Sequence, residues 1–88
     1  MSLFISIDPG SKKCGLLLAD FKSGKVIEAG IASINKFSDL VSLWNEAYMI
    51  SKVIIGNGTN CKYIENELKR KNILNFNYIN EKGSTLRA

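Results

Sequence analysis

Histidine is absent from this sequence, and proline and tryptophan occur once each. Without histidine no Ser-His-Asp or Cys-His arrangement can be assembled, and no imidazole is available as general base or zinc ligand. Catalysis would have to run on carboxylates, Lys, Cys, Tyr or a bound metal. The two cysteines, Cys14 and Cys61, are too few for a disulfide framework and lack CxxC spacing, so they read as small core residues in a reducing cytoplasm. Long apolar runs are missing as well. Leu16-Leu17-Leu18-Ala19 falls far short of the roughly 18–20 residues that cross a bilayer, and no basic stretch precedes an apolar segment at the N-terminus. Neither a membrane span nor an export signal is expected.

What is present is 88 residues, 45% hydrophobic and 23% charged, enough for one core but not two, so a single domain over 1–88 is expected. Twelve basic against eight acidic groups give a net charge of +4, a mild excess that favours polyanions without demanding one. The densest basic cluster, Lys69-Arg70-Lys71, reads as the cationic end of a helix.

Along the chain, Leu3 to Ile7 is a buried strand stopped by Asp8-Pro9-Gly10. Gly15–Phe21 and Val26–Ile34 complete an antiparallel meander around a turn at Lys22–Lys25. Phe37, Leu40, Val41, Trp44, Ala47 and Tyr48 recur at helical spacing, with Asn35 or Ser38 as cap. The periodicity makes Trp44 and Tyr48 core rather than a base-stacking pair. Lys52–Gly56 is the short β-branched run of a central parallel strand. Thr59 or Asn60 is placed to cap a second helix through Lys71, with Cys61, Ile64 and Leu68 inward. Phe76–Ile79 is a fifth strand, and Ser84-Thr85 opens a third helix. The pattern βββαβαβ, with right-handed crossovers, predicts a mixed α/β sheet in the order 3-2-1-4-5 with flanking helices.

In such a sheet, sites gather beyond the carboxyl ends of the parallel strands, which carry Asp8, the Gly56-Asn57-Gly58-Thr59 loop and Glu81. Two acids brought together repel one another unless a hard divalent cation, Mg²⁺ or Mn²⁺, sits between them. Each also has an ordinary reading: Asp8 as a turn-opening residue and Glu81 as a surface acid. Asp20 is excluded, because a hairpin centred near residues 11–12 pairs it close to Leu3, roughly 15 Å from Asp8 at ~3.3 Å per residue. Lys12 and Lys13 follow Asp8 and would either touch a phosphate or solvate the turn. The 57–59 segment serves equally as anion-holding backbone or as turn and N-cap.

Taken together, Ile5–Ser11 with Gly15, Val53–Thr59 and Ile79–Ala88 resemble the YqgF/RuvX family of ribonuclease H-like proteins, Holliday junction resolvase-like nucleases associated with maturation of small-subunit ribosomal RNA. The resemblance implies a ribonuclease H-like fold and metal-dependent phosphodiester hydrolysis on structured RNA or branched DNA. It makes Asp8 and Glu81 catalytic metal ligands and places Lys12, Lys13, Ser84, Thr85 and Arg87 on nucleic acid. The family's pattern continues to a third acid, whereas the seven residues after Glu81 contain none. That leaves a fragment of a longer product, a short paralogue that binds without cutting, or a partner chain that supplies the missing ligand. A truncated C-terminal helix would expose one sheet face and an edge, so a homo-oligomer or poor solubility is expected. Two other readings accompany this one. One is a non-catalytic nucleic-acid or protein-binding module on the same fold. The other, ranked last because 88 residues leave no room for a second half, takes Asp8-Pro9-Gly10 and the lysines after it as the first phosphate loop of an actin-like kinase or ATPase.

Overall fold

In the computed structural model, which describes residues 2–58 and 60–78, three strands lead into two αβ steps. The strands are β1 (Leu3–Asp8), β2 (Lys13–Asp20), β3 (Val26–Ser33), β4 (Ile50–Ile55) and β5 (Phe76–Tyr78), and the helices are α1 (Phe37–Ala47) and α2 (Cys61–Arg70). The sheet order is β3-β2-β1-β4-β5, with β1–β2–β3 antiparallel and β4 and β5 added parallel to β1. The mixed α/β class and strand order expected from the pattern are therefore present. A finer ribonuclease H-like assignment is not needed to describe them.

Alternation decides which way each strand faces. In β1, Leu3, Ile5 and Ile7 are buried while Phe4, Ser6 and Asp8 point to the other side, the period of two of a half-covered strand. Cys14, Leu16 and Leu18 from β2 and Val53 and Ile55 from β4 join them, and Phe37, Val41, Trp44, Ile64 and Leu68 from the helices cover them as one core. Both helices thus lie on one sheet face. Each large side chain fully buried here stabilises the fold by roughly 1.5–3 kcal/mol.

The caps depart from expectation. α1 is preceded by Lys36 with no side-chain cap, and Ser38, offered by the sequence as a cap, is buried in the first turn, where its Oγ donates to Glu67 Oε1 at 3.3 Å. An interhelical partner for Ser38 outweighs a local one, because an unbonded buried hydroxyl is costly. α2 ends in a Schellman arrangement: Asn72 takes φ 62°, its N–H reaches Lys69 O, and the N–H of buried Ile73 reaches Leu68 O.

The basic cluster at residues 69–71 is spent on acids. Arg70 pairs with Glu67 at 2.7 Å and Lys71 with Asp39 at 2.9 Å, which ties the end of α2 to the start of α1. The Arg70 hydrogen bonds hold the Glu67 carboxyl below its ordinary value, and the Lys71 hydrogen bond does the same for Asp39. A lowered folded pKa gives stability that is complete above the unfolded value and lost as pH falls through the folded one. Thermal melts between about pH 6 and about pH 3 should therefore show a decline that Glu67→Gln makes shallower by a few degrees at most, the scale of exposed pairs. Identical profiles for the two proteins would remove Glu67 from the acid response.

Candidate functional site

The open end of β1 is built by steric demands on two loops. Asp8 is the last residue of β1, is exposed, and pairs with Gly15 across the hairpin. Beyond it the chain reverses through Gly10-Ser11-Lys12-Lys13 so tightly that a Cβ on Gly10 would lie 2.5 Å from Lys13 O. Only a residue without Cβ closes that turn. Pro9 is buried between this turn and the β4–α2 loop, where a Cβ on Gly58 would meet Pro9 O at 3.0 Å. Gly56 N–H continues the parallel ladder by donating to Ile7 O at 2.8 Å. The two loops that follow β1 and β4 are thus packed against each other beside Asp8.

Three further contacts fix the loops. The Cys61 thiol donates to Gly58 O at 3.2 Å and to Gly56 O at 3.6 Å, closing the β4–α2 loop onto the start of α2. Cys14 is fully buried beneath the hairpin. Burial pushes its thiol pKa up, the Gly10 N–H opposes this, and the charge of Asp8 adds to the rise. A thiol held protonated is a core residue, as its spacing implied. Asn60 sits at φ 62°, ψ 23° just before α2 and does not cap it. Its Nδ2 donates across the loops to Gly10 O at 3.1 Å and Ser11 O at 3.3 Å.

The functional groups at this end are Asp8, Lys12 and Lys13, all exposed. Lys13 is two residues from Gly15, the partner of Asp8, so the period of two puts Lys13 and Asp8 on the same sheet face. Lys12 lies in the turn, and its carbonyl accepts the Ile34 N–H at 2.8 Å. Among the described residues, the Asp8 carboxylate has no hydrogen-bond or ion-pair partner, so the turn-opening role is not the one it plays. Beside the turn, Ser11, Ile34, Asn35, Asn60 and Tyr63 line an open cleft of about 390 Å³. Asp20 is far from this end: it pairs with Leu3 and accepts from Lys22 N–H and Ser23 Oγ in the β2–β3 turn.

Of the residues singled out from the sequence, Asp8, Lys12 and Lys13 come together. Glu81, Ser84, Thr85 and Arg87 lie outside the described residues, and with them the carboxylate pair expected to share a metal. Among the described residues no three His, Cys, Asp or Glu side chains gather to hold an ion, and no helix is long and apolar enough to cross a membrane. Sequence reasoning missed Asn60 as a link between the loops and Ser11 as part of a cleft. The contacts of Asn60 cross about fifty residues and leave no local pattern.

No family model matches the sequence, and no curated protein matches it. Solved structures do resemble the fold. An exopolyphosphatase from Cytophaga hutchinsonii superposes with a TM-score of 0.62 at 11% identity, over 89% of this chain and 34% of that one. The type II variant of the Aquifex aeolicus Ppx/GppA phosphatase gives 0.52 at 19% identity, over 90% of this chain and 36% of that one. Another structure of the Aquifex aeolicus Ppx/GppA family member gives 0.52 at 19% identity. The chain spans about a third of the length of these structures.

These likenesses correct the YqgF/RuvX resemblance and the nuclease, Holliday junction and ribosomal-RNA roles drawn from it: the structures above are phosphatases rather than nucleases. The physical reason lies in what the matching motifs do. Gly10 is demanded by Lys13 O, Gly58 by Pro9, and the apolar runs before them by the core. Such residues report a sheet with tight loops after its first and fourth strands, not the chemistry performed there. The remaining motif, Ile79–Ala88, lies outside the described residues.

Proposed function

We propose that this chain is a phosphate-chain-binding α/β unit of phosphatase type, engaging polyphosphate at the open end of β1 in a complex with Mg²⁺. The supporting observation is the junction of Asp8, a carboxylate unpartnered among the described residues, with a tight turn carrying Lys12 and Lys13, in a fold whose solved likenesses include an exopolyphosphatase. The phosphate-loop reading of Asp8-Pro9-Gly10, ranked last from the sequence, becomes the favoured one.

The residues fit the ion in chemistry. Mg²⁺ takes hard oxygen ligands, keeps several waters, and is commonly held by one or two carboxylates together with substrate phosphates. Asp8, exposed and free of protein partners among the described residues, is a suitable first carboxylate. When bound, the ion supplies charge neutralisation on phosphoryl oxygens. Lys13, on the face shared with Asp8, offers a point charge to a phosphate held there, and Lys12 a second from the turn.

The test is calorimetric titration with tripolyphosphate, with and without Mg²⁺, alongside an assay for released phosphate. RNA at equal phosphate concentration serves as the control for charge alone. Mg²⁺-dependent tripolyphosphate binding that RNA does not displace is expected. Binding no tighter than that of RNA, and indifferent to Mg²⁺, would retire the proposal.

A further inference from the structure

Resting on that reading, the geometry of Asn60 points to a role no local motif marks. We infer that Asn60 is a positioning residue: its side-chain amide holds the Gly10–Lys12 turn so that the Ser11 and Lys12 N–H groups are presented to a phosphate. The argument starts from the backbone. Asn60 occupies the left-handed region at φ 62°, which non-glycine residues visit at a cost and asparagine more readily than most. From the N-cap position its side chain would ordinarily bond the first turn of α2, yet it makes no cap hydrogen bond there. Both amide contacts go instead to successive carbonyls, Gly10 O and Ser11 O.

A trans peptide plane directs its N–H opposite to its C=O. Pinning Gly10 O toward Asn60 therefore turns the Ser11 N–H away from it, and pinning Ser11 O does the same for the Lys12 N–H. Among the described residues neither N–H finds an acceptor within the protein. Successive outward N–H groups in a turn form an anion-binding concavity. The flanking lysines and the orientation set by Asn60 then act on one ligand. The anchoring is also long-range, since it fastens the β1–β2 turn to α2, so the turn keeps its shape only while the two loops stay together.

Two variants separate the amide from the backbone it sits on. Asn60→Gly keeps the left-handed conformation without strain and removes the donor. Asn60→Asp keeps the shape but sets a carboxylate against two carbonyl oxygens. Thermal melting is expected to leave Asn60→Gly near wild type, while its affinity for tripolyphosphate with Mg²⁺ falls about fivefold to tenfold. Asn60→Asp should bind more weakly still at neutral pH. It should recover relative to wild type at the same pH as acid restores a proton that can be donated, and melts at each pH show whether that recovery exceeds any regained stability. Amide NMR on the free proteins reads the positioning directly, as shifted or broadened Ser11 and Lys12 resonances in Asn60→Gly. Should wild type bind no tripolyphosphate, the phosphate reading falls, and the amide spectra alone decide the positioning. Unchanged Ser11 and Lys12 resonances, or affinity loss in step with lost stability in both variants, would overturn it.

Discussion

Asp8→Asn is expected to remove the Mg²⁺-dependent part of tripolyphosphate binding, a loss of roughly a hundredfold or more, while leaving the melting temperature close to wild type. The size follows from what the carboxylate does: a metal ion's electrostatic contribution is worth several kcal/mol, and about 1.4 kcal/mol is a factor of ten. Asparagine keeps the shape and one oxygen but removes the charge. The indifference of stability follows from the surroundings, since Asp8 is exposed and its carboxylate meets no protein partner among the described residues. Surface changes of that kind usually stay within about 0.5 kcal/mol. Calorimetry with and without Mg²⁺, paired with thermal melts, separates the two roles. A variant that binds as well as wild type but melts several degrees lower would make Asp8 a turn-forming residue and nothing more.

Gly10→Ala should damage both stability and binding, because its methyl group has no place to go. The added Cβ would lie 2.5 Å from Lys13 O, a backbone atom at the start of β2 that cannot swing aside as a side-chain tip would. Relief requires the hairpin to open, at a cost of about 1–3 kcal/mol for overpacking. Opening also moves the Ser11 and Lys12 N–H groups and strains the Asn60 contacts, so affinity for tripolyphosphate should fall by an order of magnitude or more. Gly30→Ala is the control. Its Cβ would meet only the tip of Leu40 at 3.8 Å, an ordinary contact, and near-neutral stability is expected. Equal melting of the two variants would show that the turn tolerates a side chain after all.

The resolvase resemblance failed for a reason visible in these same residues. Asp8-Pro9-Gly10 and Gly56-Asn57-Gly58 are short stretches whose composition is set by close backbone approaches. Any chain that folds a tight hairpin after its first strand and a loop against it after its fourth draws on the same few residue types. Their likeness to one nuclease family was therefore a likeness of turn residues. The basic cluster at 69–71 shows the converse: its place at a helix end followed from the pattern, but the Asp39 partner of Lys71 did not. Asp39 is some thirty residues away, and only the crossing of the helices on one face supplies it.

Period and punctuation alone determined much of this protein. Alternating burial in Leu3, Ile5 and Ile7, the helical spacing of Phe37, Val41 and Trp44, and the glycine and proline breaks were enough to predict seven elements and the strand order 3-2-1-4-5. These signals are local, because each reflects one element presenting one face to a common core. Tertiary structure alone decided what Ser38 and Asn60 do. Both looked like helix caps, and both instead spend their hydrogen bonds on partners 29 and about 50 residues away, Glu67 and the Gly10–Ser11 carbonyls. A polar side chain takes the best-placed partner in the folded chain, and that choice is written in the packing of loops and helices rather than in neighbouring residues.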